Sequence, residues 1–471
     1  MRLPFYIKYP LGIRDASAPP RPRLLAPATP SQSDNPHDTM DEPSAEWLAF
    51  DAANPHLNIN STDSPPFPSP TTFRDAVNTA KESSVRALLA KTDLPHRVSV
   101  TDSLIPTRDG ATIPVRIYRF KHEHSHNSQF LPAAFLYFHG GGMLLGTPAT
   151  EDLLCSRWSS LLGPDFAIIS VCYRHTPEYT YPTQQNDAWD ALQWVFETAG
   201  ELGVDTGRVV VGGVSSGGGL AAGVVRRSLG GEEEGEGEGE EREGEGGGGK
   251  GDVKGEGEVE RGIRGKGGRG RIKGQVLAMP WLVHRDVYPP FEEWARRGNG
   301  LGGRAERSSM VLCQDAPIMP RERYDLFTDL LGAETAEQKA EFSVGLVDSE
   351  ERLRGVPPSA VVVCGRDILR DEGMAFAEML ERVGSVTYLQ VLVGSERGAD
   401  WIGSRTPIKK HVFPGLPHSF TRYHDLPSSR RFDELMVESI RWCVDDNRKS
   451  DVPGKWALEG DGLKTDINGR W

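Results

Sequence analysis

The 471-residue sequence has little cysteine, no long hydrophobic run and no excess of positive charge. Its five cysteines, Cys155, Cys172, Cys313, Cys364 and Cys443, are odd in number, scattered, and never spaced as CxxC. That argues against a disulfide framework and against a zinc site, and it fits a reducing compartment. No run of 18 apolar residues occurs, so no membrane span is expected. The N-terminus, MRLPFYIKYPLGIRDASAPP, has no uninterrupted apolar stretch, because Pro4, Lys8 and Pro10 break it. A secretory signal is therefore disfavoured and the cytoplasm is the expected location, with organellar import as the alternative that the basic, acid-poor start leaves open. A net charge of −13 and a pI near 5.5 argue against a nucleic-acid or anionic-membrane partner.

Glycine is abundant, at 53 residues, but unevenly placed. Residues 230–274 hold 19 of them with 13 acids, nine Lys or Arg and no aromatic. Outside that segment glycine falls to roughly 8%, an ordinary globular level. The segment has too little apolar surface to offset its ordering entropy and is expected to be disordered. Its charge is divided, acidic over 232–245 and basic over 261–273. A solvated linker is the plain reading; a self-paired loop and a partner-binding tract are the alternatives.

The chain as a whole has 37% hydrophobic residues and ample length to close a core. Residues 1–43 are rich in Pro, Ser, Asn and Asp and read as a disordered arm, with Met40 as an alternative start. An amphipathic helix is expected over 71–91, opened by Thr71 or Thr72, then a hairpin over 97–119. Apolar runs at 133–138, 166–173, 208–213, 275–279 and 359–364 then alternate with helical patterns at 150–163, 183–200, 216–229 and 372–384. A closing helix covers 431–446. Near-continuous apolar strands between helices predict an α/β protein, with a mostly parallel central sheet and helices on both faces.

Two glycine-rich turns sit at strand ends in this pattern. Gly213-Val214-Ser215-Ser216-Gly217 lies between the strand RVVVGG and the helix SSGGGLAAGVVRRSL. A serine on such a turn is held clear of the sheet, with a helix N-terminus behind it that favours developing negative charge. His139-Gly140-Gly141-Gly142 follows the strand AAFLYF, where successive glycines can present backbone N–H groups to an oxyanion. A serine nucleophile needs a base. His418 follows a short β run and a Pro-Gly-Leu-Pro turn, which suits a base offered from a sheet edge, although a core histidine is the plain alternative. Two carboxylates follow the strand SAVVVCG, Asp367 and Asp371, and capping of the next helix is the competing role for Asp371.

HGGG, YRHTPEYTYPTQQNDAWDAL (173–192), GVSSGG, DILRDEG (367–373) and PGLPHSF (414–420) occur in this order. Over roughly Asp93 to Asp445 the chain resembles the hormone-sensitive-lipase group of α/β-hydrolases. The resemblance implies a carboxylic-ester hydrolase with Ser215 as nucleophile, His418 as general base and Asp367 orienting the imidazole. It places the oxyanion hole at the backbone N–H groups of Gly140, Gly141 and Ser216. It implies a small-molecule acyl ester as substrate, no cofactor, no metal, and a helical cap from about 44–95 and 283–345 on a hydrolase domain spanning 44–446. An amidase or deacetylase with the same triad, or a non-catalytic ligand-binding member of the fold, are the alternatives. Oligomeric state is not readable, and neither is the tail 447–471. Arg174 and Glu178 match a structural Tyr-Arg…Pro-Glu element. The chain departs from the group at Val214, often Asp, and at Ile368 in place of the proline of DPL.

Residues 391–410, VLVGSERGADWIGSRTPIKK, interrupt what reads as one strand, SVTYLQ joined to HVFPGLPHSF. They read as intron sequence carried into the chain and, if genuine protein, as an insertion able to displace His418. Trp47, Phe50, Phe291 and Trp294 are the aromatic candidates to line a pocket beneath the cap, with core packing as the plainer role for any one of them.

Overall fold

The computed structural model describes residues 40–55, 69–121, 130–230, 263–265, 268–289, 308–346, 350–389, 407–445 and 457–458. The central strands form on short, fully buried apolar runs, and the outer ones carry more polar residues. The strands are β1 (Val98–Pro106), β2 (Thr112–Phe120), β3 (Ala133–Phe138), β4 (Phe166–Val171), β5 (Val209–Val214), β6 (Ile272–Ala278), β7 (Ser359–Arg366), β8 (Ile408–Pro417) and a two-residue β9 (Ala457–Leu458). They make one sheet in the order β1-β2-β4-β3-β5-β6-β7-β8-β9. β1–β2 and β2–β4 are antiparallel and every other pair is parallel.

Every residue of β3, β4 and β5 is buried, as two-sided coverage requires. Alternation then divides β3 between two cores. Ala134, Leu136 and Phe138 face one, with α4 (Thr183–Glu197), α5 (Ser216–Leu229) and α8 (Arg370–Leu389) packed over it. Ala133, Phe135 and Tyr137 face the other, under α3 (Asp152–Leu162) and α9 (Pro427–Val444). The remaining long helices are α1 (Ala45–Ala53), α2 (Pro70–Leu89), α6 (Arg321–Leu331) and α7 (Ala336–Phe342). These are the elements that approach the C-terminal ends of the parallel strands, where open α/β sheets build their sites.

Several boundaries differ from expectation. α2 is opened by Ser69, not Thr71 or Thr72: its side chain accepts the Thr72 N–H and Pro70 takes the first helical position, where a missing N–H costs nothing. The arm expected to end at 43 is already packed at Met40, which is buried and whose carbonyl accepts the Gly415 N–H at 2.7 Å. The strand expected at SVTYLQ is helical instead, since α8 runs to Leu389. The last three residues of the expected insertion 391–410 open β8, with Ile408, Lys409 and Lys410 opposite Ser359, Ala360 and Val361. At the end of the glycine-rich segment, Ile263–Gly265 pairs antiparallel with Gly268–Gly270, and β6 begins at Ile272. Residues 1–39, 231–262 and 390–406, and with them most of three expected irregular segments, lie outside the described residues, as does nearly all of the tail 447–471. No helix among the described residues is long and apolar enough to cross a membrane.

Candidate active site

Ser215 sits on the turn from β5 to α5 with φ 56° and ψ −123°. Positive φ is costly for a residue with a side chain, so the surroundings must impose it. Three main-chain bonds do: Ser215 N–H to Ala278 O at 2.8 Å, and Trp281 N–H and Gly219 N–H to Ser215 O at 3.0 and 3.1 Å. Glycine on either side makes room. A Cβ at Gly213 would lie 2.3 Å from the Gly217 carbonyl carbon, and one at Gly217 2.0 Å from Phe138 O.

Asp367 follows β7 and His418 follows β8, so both stand at the same sheet edge as Ser215. Nε2 of His418 is 2.9 Å from Ser215 Oγ, and Nδ1 is 2.7 Å from Asp367 Oδ2. The second Asp367 oxygen accepts the Leu369 N–H at 2.9 Å, which fixes the carboxylate plane. Relative exposures of 5%, 1% and 3% bury Ser215, Asp367 and His418, and the first and last of them border the pocket. The turn before His418 is anchored by the N-terminal segment: Gly415 N–H donates to Met40 O, and Ser44 N–H donates to Gly415 O. His418 is thus not displaced by the irregular stretch upstream. Asp371 stands elsewhere, bonded to Arg370 Nε at 2.8 Å and to the Ser309 N–H at 2.7 Å.

The glycine loop lies opposite. Gly141 and Gly142 adopt φ of 133° and 63°, and a Cβ at Gly140 would come 2.9 Å from Val214 O. The Gly142 N–H donates to Ser216 Oγ at 3.0 Å, and Tyr173 Oη donates to His139 O at 2.8 Å. No acceptor among the described residues takes the Gly140 or Gly141 N–H. Ser216 is the first residue of α5, so no intrahelical carbonyl precedes its N–H.

α2 is bolted to this loop along one face. Asn78 accepts the Gly146 N–H at 2.9 Å, Glu82 accepts from Thr147 at 2.6 Å, and Lys81 meets buried Glu151 at 2.7 Å. Burial pushes the Glu151 carboxyl up, but Lys81 and His139 outweigh it and hold the group below its usual range. Arg74 forms a two-point contact with Glu178 at 2.6 and 2.7 Å, and Arg174 clasps fully buried Asp187, which gives both motif residues a scaffolding place. A pocket opens over Ser215, walled by Phe73 and Val77 of α2, Ile318, Met319 and Phe327, and closed by Tyr423.

Of the four expected aromatic lining residues, Phe291 and Trp294 lie outside the described residues. Trp47 and Phe50 pack behind Tyr423, at ring separations of 5.8 and 4.8 Å, and do not reach the pocket. Phe73 and Phe327 take that role. Phe73 carried a signal, the Phe73–Val77 step at i, i+4 on one face of α2; Phe327 carried none.

Comparison with known proteins agrees with this architecture. A family model described as alpha/beta hydrolase fold matches residues 135–398. Ethyl acetate hydrolase of Pseudomonas putida is 28% identical over 319 residues, 66% of this chain and 79% of that protein. The carboxylesterase NlhH of Mycobacterium tuberculosis is 28% identical over 321 residues, 68% of this chain and 80% of its own length. Rabbit (Oryctolagus cuniculus) arylacetamide deacetylase is 26% identical over 64% of this chain and 77% of its own. Among solved structures, the carboxylesterase EstE1 from a metagenomic library matches with a TM-score of 0.54 and 28% identity, covering 80% of this chain and 98% of that one. Vibralactone cyclase matches with a TM-score of 0.60 over 86% and 96% of the two chains; at 20% identity it shows the fold alone.

Proposed function

We propose, on the premise that this chain belongs to the alpha/beta hydrolase family, that it is a serine carboxylic-ester hydrolase. The carrying observation is the unbroken relay from Ser215 Oγ through His418 to Asp367, at 2.9 and 2.7 Å. In this reading His418 Nε2 removes the Ser215 proton as Oγ attacks the ester carbonyl. Asp367 keeps the imidazole in the tautomer with its proton on Nδ1 and stabilises the cation formed. The N–H groups of Gly140, Gly141 and Ser216 point at the oxygen where charge develops, and α5 adds its N-terminal dipole. His418 then protonates the leaving alkoxide, leaving an acyl group on Ser215. Water, deprotonated by the same Nε2, attacks that acyl-enzyme; collapse releases the acid and returns the proton to Oγ.

α2 and α6 act as the cap in this reading, with Phe73, Val77, Met319 and Phe327 offering an apolar wall to an acyl group. Similarity to ethyl acetate hydrolase and to a carboxylesterase supports ester cleavage. Similarity to a deacetylase makes amide cleavage by the same triad the second reading. The test is hydrolysis of p-nitrophenyl acetate, butyrate and octanoate, with the matching anilides in parallel. Wild type is expected to cleave the esters and Ser215→Ala to lose at least about 10³-fold in rate. Equal rates in both would overturn the proposal, and faster anilide than ester turnover would favour the second reading.

A further inference from the structure

Behind the glycine loop, on the side away from Ser215, a second constellation lies unused by the proposed reaction. His139 leaves the end of β3, fully buried; Cys172 leaves the end of β4, and His175 follows it. One ring nitrogen of each histidine and the Cys172 Sγ lie within 4.8 Å of one another. His139 Nδ1 stands 3.0 Å from Gly140 O, a contact that makes Nδ1 the protonated nitrogen and leaves a lone pair on Nε2. Nε2 of His139 and Nε2 of His175 are both buried with no hydrogen-bond partner. A single buried, unsatisfied nitrogen calls for an explanation, and two on rings that approach one thiol call for a shared one. The His139 ring is held from two sides, stacked on Tyr173 at 4.4 Å and seated on Gly146, where a Cβ would come 2.3 Å from Cε1.

We propose that His139, Cys172 and His175 form a binding site for one Zn²⁺ ion. Two imidazoles and a thiolate are a common donor set for that ion, and they leave a fourth position for water. Tetrahedral closure at Zn–N of about 2.0 Å and Zn–S of about 2.3 Å asks for ligand spacings of about 3.5 Å, a movement of about 1 Å from the present positions. A thiol must lose its proton to bind the ion, so one proton leaves to solvent for each ion bound. Glu151 supplies a nearby negative charge felt by His139 and Cys172, and Arg74 opposes it at His175. The site departs from the expectation that scattered cysteines exclude zinc. Its third ligand is remote in sequence and arrives only because β3 and β4 pair in parallel, Phe138 opposite Val171. The proposal stands on these groups alone and does not rest on the hydrolase reading.

The experiment uses the full-length, tag-free chain, stripped of metal with a chelator and titrated with Co²⁺ alone as the spectroscopic probe. The expected result is saturation at one Co²⁺ per chain with a thiolate-to-cobalt charge-transfer band in the near ultraviolet. Cys172→Ser is expected to abolish that band, and His175→Gln to weaken binding by at least about tenfold. A band that persists undiminished in Cys172→Ser would overturn the site, as would its absence from saturated wild type. Circular dichroism checks that each variant is folded. Should Cys172→Ser fail to fold, unchanged Co²⁺ affinity in His175→Gln would itself overturn the proposal.

Discussion

Ser216 Oγ accepts the amide hydrogen of Gly142 at 3.0 Å, and through this bond the glycine loop is tied to the helix that starts behind Ser215. The same oxygen lies 3.3 Å from Tyr173 Oη, whose own hydrogen bond goes to His139 O. One hydroxyl therefore sets the distance between the two halves of the proposed oxyanion hole. Ser216→Ala keeps the backbone N–H but frees the loop. A net hydrogen bond of about 1 kcal/mol predicts a roughly five- to tenfold fall in kcat. KM for p-nitrophenyl butyrate should be little changed, and steady-state kinetics on the two proteins decides it.

The two carboxylates after β7 make a discriminating pair. Asp367→Asn places an amide against His418 Nδ1 and favours the wrong tautomer, so kcat is expected to fall by about 10³–10⁴ with little loss of stability. Asp371→Asn disturbs the buried contact to Arg370 and Ser309 instead, and should lower the melting temperature while the triad keeps working. Parallel rate and melting measurements distinguish them; the reverse pattern would reassign the orienting carboxylate.

Gly142 and Gly110 both have positive φ, of 63° and 81°. At Gly110 nothing lies within 4 Å of an added Cβ, whereas at Gly142 the Phe327 ring is 2.1 Å away. Gly110→Ala is expected to cost only backbone strain, on the order of 1 kcal/mol. Gly142→Ala must also displace α6 or the loop, and is expected to reduce kcat/KM by at least about 10² as the oxyanion donors move.

Glu378 on α8 carries a pH signature. Burial raises its carboxyl to about 7, against the lowering influence of Lys410 and Arg382 and with a further push from Glu381. Its folded pKa thus lies above the unfolded value near 4.5, so its favourable contribution is complete below about 4.5 and is lost as pH rises through 7. Glu378→Gln should be neutral in stability at pH 4 and stabilising at pH 8, on the order of 3 kcal/mol. Denaturant melts at the two pH values provide the measurement, and equal effects at both would contradict it.

What could be read in advance depended on whether the deciding residues were close in sequence. Ser215 and its glycines lie within one turn, and the strands announce themselves as apolar runs, so both were legible. The start of β8 was not, because Ile408-Lys409-Lys410 reads as a polar end to an irregular stretch; Lys410 is buried there by its pairing with Glu381 at 2.8 Å. Met40 reads as the start of a globular-looking stretch, and it is buried, but its contact was not legible. Its hold on Gly415 is made by a backbone carbonyl, which carries no sequence signature. Phe327 was not legible for a third reason: aromatic residues serve core and pocket equally well, and only the tertiary path of α6 puts Phe327 on Gly142 while Trp47 packs in the core.

The glycine-rich segment leaves the body after α5 and returns at Ile272, opposite Val209, the first residue of β5. Both of its anchor points therefore belong to the edge of the sheet where the parallel strands begin, a full strand length from Ser215 at the other end. This junction can therefore absorb growth or contraction of the gene without disturbing the chemistry, and it is a natural place to splice in a reporter domain.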